Sequence, residues 1–352
     1  MKKLLNTLYI ASADKMLSLE SDNVVVKEFR EGTDGTVGKQ VLLRVPLITL
    51  EAIVTCGYAG ATPALMGRCA ELGIGLTFLS RSGRFLANVV GEERGSILVR
   101  KKQYRLCIDE YESCLYARNF ILGKVFNAKW VLQRTLRDHS EKVSAAKISN
   151  VSDFLTASLE KLRVCDSLDK LRGLEGESAK QYFSVFDELI IRNKSDFKFT
   201  GRSRRPPLDN INALLSFAYT LLASDCRNAL YAAGLEPYSG FLHRDRPGRA
   251  GLSLDLMEEL RPIVADRFVL TLINRGEITS KDFEHKENGA VFLCESGRRA
   301  FYKSWQEHKT QVITHPFLNE KIAWGLVPYA QSLLLSRVIR GDLPEYPVFL
   351  WK

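Results

Sequence analysis

The sequence predicts an α+β protein, in which a β-rich N-terminal domain is followed by a larger all-α domain. Up to about residue 93, short runs rich in Val, Ile, Leu and Phe alternate with Gly, Asp, Ser and Pro, as strands and turns do. Beyond that point most apolar residues recur at helical spacing. A length of 352 residues also suits two domains better than one. We therefore predict domains at 1–93 and 94–352.

The predicted N-terminal domain contains strands, one helix and a hairpin. The helix is expected over residues 61–72 and ends at Gly73, because glycine readily adopts the left-handed conformation of a helix C-terminus. The run LTFLSRSGRFLANVV predicts the hairpin, with Gly83 supplying a positive φ in its turn. The strands are expected in LLNTLYI, NVVVKEF, KQVLLRVPL, LEAIVTCG, GIGLTFLS and RFLANVVG.

The predicted C-terminal domain is built from helices. A small hairpin is expected between Lys281 and Cys294, around Asn288–Gly289. Helical periodicity covers the segments 98–138, 151–162, 174–186, 208–234, 253–275, 295–308 and 319–341.

Composition and charge favour a cytoplasmic protein with a polyanionic partner. The net charge is +9, and residues 191–250 hold ten Lys and Arg against five Asp and Glu, so about a sixth of the chain carries +5 of it. The seven cysteines are scattered and form no CxxC pair, which disfavours a zinc ribbon and fits a reducing cytosol. The sequence has no apolar run of about 18 residues, so we expect no membrane-spanning helix.

Two separate segments each place a potential metal ligand in an unusual setting. In GLEGESAKQYF, a helix would put Glu175 on the same face as Ala179 and Tyr182, where a buried carboxylate needs a cation or another partner. The alternative is a glutamate that stabilises the first turn of a helix. His243 lies in the loop GFLHRDRPGR, and imidazole is the commonest metal ligand. The alternative there is an ordinary surface histidine.

A third segment, LSLDLMEELRP, is acidic. Ser253 is a plausible N-cap, and Asp255, Glu258 and Glu259 are spaced to share one helix face. The alternative is a solvated acidic face. Asp255 falls in the predicted first turn, where the helix N-terminus already favours an acid, so we expect Glu258 to be the direct ligand. Asp255 is expected to help from nearby, through a metal-bound water or a second ion.

An arginine cluster offers contacts for phosphate. Arg202, Arg204 and Arg205 precede two prolines that prevent a helix. Exposed arginines in an extended segment suit bidentate phosphate contact. The alternative is a run of charge that only improves solubility.

Taken in order, these segments resemble the CRISPR-associated protein one family, the integrase of spacer acquisition. VPLITLEAIVTCG and GIGLTFLSRSGRF are similar to its β-rich N-terminal domain, and LVRKKQYRL to its first catalytic-domain helix. GLEGESAKQYF, RSRRPPLDNINALLSFAYTLL, AAGLEPYSGFLH and LSLDLMEELRP then follow in the family's order. The closing YPVFLWK resembles the subtype I-C branch.

The resemblance implies a dimerising N-terminal domain and a catalytic domain with a Mg²⁺ or Mn²⁺ site. The implied ligands match Glu175, His243 and the carboxylates of LSLDLMEELRP. The implied activity is that of an endonuclease and integrase, which joins the 3′-hydroxyl of a captured DNA fragment to the CRISPR repeat by transesterification. We expect Arg244, Lys180 and the arginine cluster to contact the DNA backbone.

The expected partners are double-stranded DNA fragments, the CRISPR repeat, a second copy of the chain and a dimer of the CRISPR-associated protein two. Two other functions stay open at this point. One is a metal-dependent DNA-repair nuclease that cuts branched or single-stranded DNA with the same site. The other is a non-enzymatic DNA-binding scaffold, in which Glu175 and His243 are structural.

Overall fold

A computed structural model describes residues 6–12, 15–31, 37–57, 59–91 and 97–352. The predicted α+β fold class is confirmed, since strands dominate the N-terminal region and helices dominate the rest. The chain divides into two compact units, one formed by Met1–Glu93 with Leu293–Glu307 and the other by Arg94–Phe292 with His308–Lys352. The boundary that the sequence places between residues 93 and 94 lies outside the described residues. That the N-terminal domain forms the dimer and the C-terminal domain is catalytic stays a prediction.

The described residues of the first unit form two four-stranded sheets. Its strands are β1 (Asn6–Ile10), β2 (Lys15–Glu20), β3 (Asn23–Glu31), β4 (Val37–Pro46), β5 (Leu50–Cys56), β6 (Gly60–Ala61), β7 (Gly75–Leu79) and β8 (Phe85–Val89). One sheet has the order β1-β5-β7-β8, in which β8 alone is antiparallel to its neighbour. The other has the order β4-β3-β2-β6, with an antiparallel β2-β3-β4 meander.

The predicted helix and hairpin of this unit are both confirmed. Helix α1 (Pro63–Leu72) begins after Thr62, whose side chain accepts a hydrogen bond from the N–H of Leu65. It ends at Gly73, where φ is 71°. The β7–β8 hairpin turns through Gly83, where φ is 80°. The sequence missed β2, a short strand in which only Leu17 is buried.

The remaining helices include those that carry the candidate site. They are α2 (Ile97–Ile108), α3 (Glu110–His139), α4 (Ala145–Arg163), α5 (Leu168–Ser184), α6 (Asn210–Ala232), α7 (Gly251–Leu260), α8 (Arg267–Asn274), α9 (Glu295–Thr310) and α10 (Val327–Arg340). Short strands form two pairs. The pair of β9 (Phe283–His285) with β10 (Val291–Leu293) confirms the small hairpin, whereas the pair of β11 (Val312–Thr314) with β12 (Lys321–Ala323) was not predicted, so the C-terminal part is not all-α. Helix α3 is the longest, with 30 residues, and it packs against α4, α5 and α7.

Three predicted helices are divided or shortened. The one expected over 98–138 breaks at Asp109, whose side chain accepts a hydrogen bond from Glu112 N at 2.9 Å and so starts a new helix. The one expected over 319–341 starts only at Val327, because β12 precedes it. Between α7 and α8, residues 261–266 form a π-helical turn at Pro262, which lacks the N–H that an α-helix needs.

No helix in the described part of the chain is long and apolar enough to cross a bilayer.

Candidate functional site

Glu175 and Glu258, which come from different helices, meet at one lysine. The ammonium of Lys124 on α3 contacts Glu175 on α5 and lies 2.7 Å from Glu258 Oε2 on α7. Glu175 is in the middle of α5, which begins at Leu168, so a first-turn glutamate is excluded as the explanation of this residue. The fold therefore brings two carboxylates together that are 83 residues apart in sequence.

Glu258 is buried and held as an anion. It is 6% exposed, and both of its carboxylate oxygens accept hydrogen bonds from Arg261, at 2.9 and 3.0 Å. Burial raises the pKa of Glu258, but the positive charges of Arg261 and Lys124 and the nearby His243 outweigh it and lower the pKa to about 2. Glu258 is thus ionised at neutral pH despite its burial.

Asp255 is fully buried and holds the loop that carries His243. Its Oδ2 accepts hydrogen bonds from the backbone N–H groups of Phe241 and Leu242, at 2.6 and 3.0 Å. Its Oδ1 accepts from the backbone N–H of His243 at 3.1 Å and from the Nδ1 of that ring at 2.5 Å. Four contacts use the whole accepting capacity of the carboxylate.

This arrangement gives the imidazole a defined orientation. Because an ionised carboxylate can only accept, the contact with Asp255 assigns a hydrogen to the His243 Nδ1, and Nε2 is the ring nitrogen that the neutral imidazole would offer to a metal. Gly240 makes the close approach of loop and helix possible. A Cβ at this position would lie 2.7 Å from the carbonyl carbon of Gly251 and 2.8 Å from Asp255 Oδ2.

The start of α7 and the position of Glu259 differ from the predictions. The helix begins at Gly251 after Ala250, so Ser253 is not the N-cap, and Asp255 lies beyond the first turn in which it was predicted. Glu259 is fully buried and belongs to a different network. It accepts hydrogen bonds from the Tyr346 hydroxyl, from Gln331 Nε2 at 3.1 Å and from the backbone N–H of Phe349 at 2.9 Å. The three acids of this helix therefore do not form one solvated acidic face.

Glu259 makes the stability of the protein depend on pH. Burial raises its pKa to about 7 from an ordinary value of 4.5. The folded state then binds more protons than the unfolded state between these two values, so stability is lost as pH rises through this window. Each pKa unit corresponds to about 1.4 kcal/mol, so the effect is on the order of 3 kcal/mol.

Replacing Glu259 by Gln should remove this part of the pH dependence. Unfolding by urea between pH 4.5 and 7.5 should show that the parent loses more stability than Glu259→Gln does as pH rises. Glu141→Gln, at an exposed site, is the control and should follow the parent. Parallel pH profiles of the parent and Glu259→Gln would contradict the assignment.

The cationic and aromatic groups around Glu258 were not predicted from the sequence. The Arg261 guanidinium lies 4.3 Å from the centroid of the Tyr219 ring, and the Tyr219 hydroxyl donates to Asp266 at 2.5 Å. Burial raises the pKa of Asp266 to about 6. Two signals were present, namely the spacing of Glu258 and Arg261 at i, i+3 and the lysine within the apolar run ILGKVF.

The residues predicted to contact DNA divide into two groups. Arg204, Arg205 and Lys180 are exposed, and Arg244 is largely exposed beside Asp169 at 3.2 Å. Arg202 is only partly exposed, and it donates to the carbonyl of Ser203 at 2.8 Å and contacts Asn212. Its guanidinium lies 5.1 Å from the centroid of the Tyr219 ring. Arg202 therefore packs inward in this structure, unlike the rest of the arginine cluster.

The residue types at this site are those that bind divalent cations, but a lysine lies between the two carboxylates. Two carboxylates and one oriented imidazole are ligands that Mn²⁺ and Mg²⁺ sites use. Within the ranges that the structure describes, no three His, Cys, Asp or Glu side chains are arranged to hold one metal ion. The Lys124 ammonium lies between the two carboxylates and has to move if they are to share a cation.

Comparisons with known proteins agree on one family. The profile described as CRISPR associated protein Cas1 matches residues 8–307. CRISPR-associated endonuclease Cas1 1 of Chlorobaculum tepidum is 44% identical over 352 residues, which is 100% of each chain. Among solved structures, a casposase bound to integration product is similar with a TM-score of 0.83 at 22% identity, over 99% of this chain and 95% of that one. A Cas6-RT-Cas1–Cas2 complex matches with a TM-score of 0.78 at 22% identity, over 100% of this chain and 36% of that one.

Proposed function

Because this chain belongs to the Cas1 family of CRISPR-associated proteins, we propose that it is the endonuclease and integrase of CRISPR adaptation. Its reaction is transesterification, in which the 3′-hydroxyl of a captured DNA fragment attacks a phosphodiester of the CRISPR repeat. The new P–O bond replaces the bond to the 3′-oxygen of the repeat strand, and that oxygen leaves and takes up a proton, as the attacking hydroxyl loses one. The observation that carries this proposal is that Glu175 and Glu258 of a Cas1-family chain meet at Lys124, with His243 near enough to act electrostatically on Glu258. The same site hydrolyses DNA when water replaces the hydroxyl.

The chain's own residues prepare this chemistry. Glu175, Glu258 and His243 would hold a Mg²⁺ or Mn²⁺, and such an ion would supply Lewis-acid polarisation of the phosphoryl oxygen and stabilise the charge on the leaving oxygen. Asp255 fixes the imidazole with Nε2 available, and Arg261 fixes the Glu258 carboxylate through both of its oxygens. In this proposal Asp255 acts through His243, in place of the metal-bound water or second ion that the sequence suggested.

Arg204 and Arg205 are proposed to contact the DNA backbone, together with Lys180 and Arg244. Each lost phosphate contact reduces the slope of log K against log[salt] by about 0.9, so Arg204→Ala/Arg205→Ala should flatten it by about 1.8. The measurement is fluorescence anisotropy with unrelated duplexes at several salt concentrations. The control, Lys161→Ala/Arg163→Ala, removes the same charge from exposed positions of α4. An equal slope in both double variants would refute the contact.

The partners follow from the family assignment. We propose that the chain forms a homodimer through its β-rich N-terminal region and binds a Cas2 dimer. The matched Cas6-RT-Cas1–Cas2 complex supports the second partner, since the protein that resembles this chain there is assembled with Cas2. Assignment to subtype I-C and location in the cytoplasm are kept as predictions.

A half-site integration assay tests the proposed function. The chain is mixed with its Cas2, labelled duplex fragments with free 3′-hydroxyls and a supercoiled plasmid that carries the repeat, with Mg²⁺ or Mn²⁺. The expected result is covalent label at the repeat, lost when the 3′-hydroxyl is replaced by hydrogen. Cleavage of branched DNA without joining would favour a repair nuclease. Binding with neither reaction, and no dependence on metal, would favour a scaffold.

A further inference from the structure

We propose that Lys124 is a built-in substitute for the divalent cation, which holds the two ligand carboxylates together until a metal displaces it. This inference rests on the proposed function, because it concerns the same site. Lys124 is 8% exposed and projects from the interior face of α3. Its ammonium contacts Glu175 and Glu258, and these belong to two other helices.

The need for such a cation follows from the burial of the site. Glu258 is 6% exposed, and Glu175 has 27% of its side chain exposed. Two anions this close together repel each other strongly where little water screens them. Arg261 contacts Glu258 through both oxygens, whereas it acts on Glu175 only at longer range and forms no ion pair with it in the described structure. Lys124 is thus the group that joins the two carboxylates.

Competition between Lys124 and the metal predicts the direction in which removal of the lysine changes stability and metal affinity. Without the ammonium, the metal-free state loses a stabilising contact, whereas the metal-bound state keeps its own cation. Removal of Lys124 should therefore destabilise the metal-free protein and tighten metal binding. If Lys124 only supports the fold, its removal should destabilise the protein equally with and without metal. The affinity for metal should then be unchanged or weaker.

The test compares the parent with Lys124→Met, which keeps the length and apolar stem of the side chain without its charge. Mn²⁺ binding is measured by electron paramagnetic resonance, and melting temperature is measured in EDTA and in saturating Mn²⁺. We expect Lys124→Met to bind Mn²⁺ about tenfold more tightly. We also expect its melting temperature to fall in EDTA and to recover largely in Mn²⁺. Lys129→Met, five residues further along α3, is the control and should behave as the parent does.

A second measurement decides the case even if Lys124→Met does not fold. In the parent labelled with ¹³C at the lysine ε-carbon, the Lys124 signal is assigned by its loss in Lys124→Arg. Addition of Mg²⁺ should shift this signal, because the ammonium leaves the carboxylates. An unmoved signal, or a Mn²⁺ affinity in Lys124→Met that is equal to or weaker than that of the parent, overturns the proposal.

The outcomes also separate this inference from the proposed function. If the parent binds Mn²⁺ and Glu175→Gln abolishes that binding, the metal site holds and only the role of Lys124 is in question. If the parent binds no Mn²⁺, both proposals fail.

Discussion

Glu258→Gln should abolish metal-dependent cleavage and joining while leaving the protein folded. The substitution keeps the shape of the side chain but removes the anion that we propose binds the metal. A catalytic metal contributes several kcal/mol of transition-state stabilisation, so the rate should fall by about a thousandfold. Lys124 and Arg261 both lose their partner on α7, so a moderate fall in stability is also expected.

The adjacent glutamate provides a matched control for this prediction. Glu259 is fully buried and lies on the same helix, but its partners are Tyr346, Gln331 and Phe349. Glu259→Gln should therefore retain metal-dependent turnover at a pH where it is folded. The rates are measured in the integration assay at saturating Mn²⁺, and Mn²⁺ binding is measured separately. Parent-like activity in Glu258→Gln would show that this carboxylate is not a ligand.

The sequence identified several groups of the site but not the contacts among them. Glu175, His243 and Glu258 each stood out locally, as a charge on an apolar helix face, a histidine in a turn-rich loop and an acid beyond the first turn. The partner of Glu175 is a lysine 51 residues earlier in the chain, and nothing in local periodicity connects the two. Contacts of this range arise from the packing of α3 against α5 and α7.

The arginine cluster shows a similar limit. Three neighbouring arginines have the same local chemistry, and the prolines correctly indicated a non-helical segment. Only the packing against α6 separates Arg202, which lies over the ring of Tyr219, from the exposed Arg204 and Arg205. The predicted start of α7 was wrong, since Ser253, the predicted N-cap, lies two residues inside a helix that starts at Gly251.

Asp255→Asn should impair the protein in a way that differs from loss of a metal ligand. Asparagine replaces one accepting oxygen by an NH₂ group, which can only donate. At the Oδ2 position this group would face the N–H donors of Phe241 and Leu242. At the Oδ1 position it would face the backbone N–H of His243 and its Nδ1–H. Each buried donor left without an acceptor costs about 1–3 kcal/mol, so the melting temperature should fall clearly.

The same substitution should weaken metal binding through the imidazole. If Nδ1 no longer donates to Asp255, the ring can place its hydrogen on Nε2 or rotate, and the lone pair that we propose binds the metal is lost. Disruption of such a supporting contact typically costs about 10–100-fold in affinity or activity. Because Glu175, Glu258 and His243 all remain, activity should stay measurable and should rise with Mn²⁺ concentration, whereas that of Glu258→Gln should not. Asp245→Asn, at an exposed position of the same loop, should match the parent in melting temperature and Mn²⁺ dependence. If Asp255→Asn also matches the parent in both measurements, the carboxylate does not position His243. If it is inactive at every Mn²⁺ concentration while folded, Asp255 is itself a ligand and acts directly on the metal.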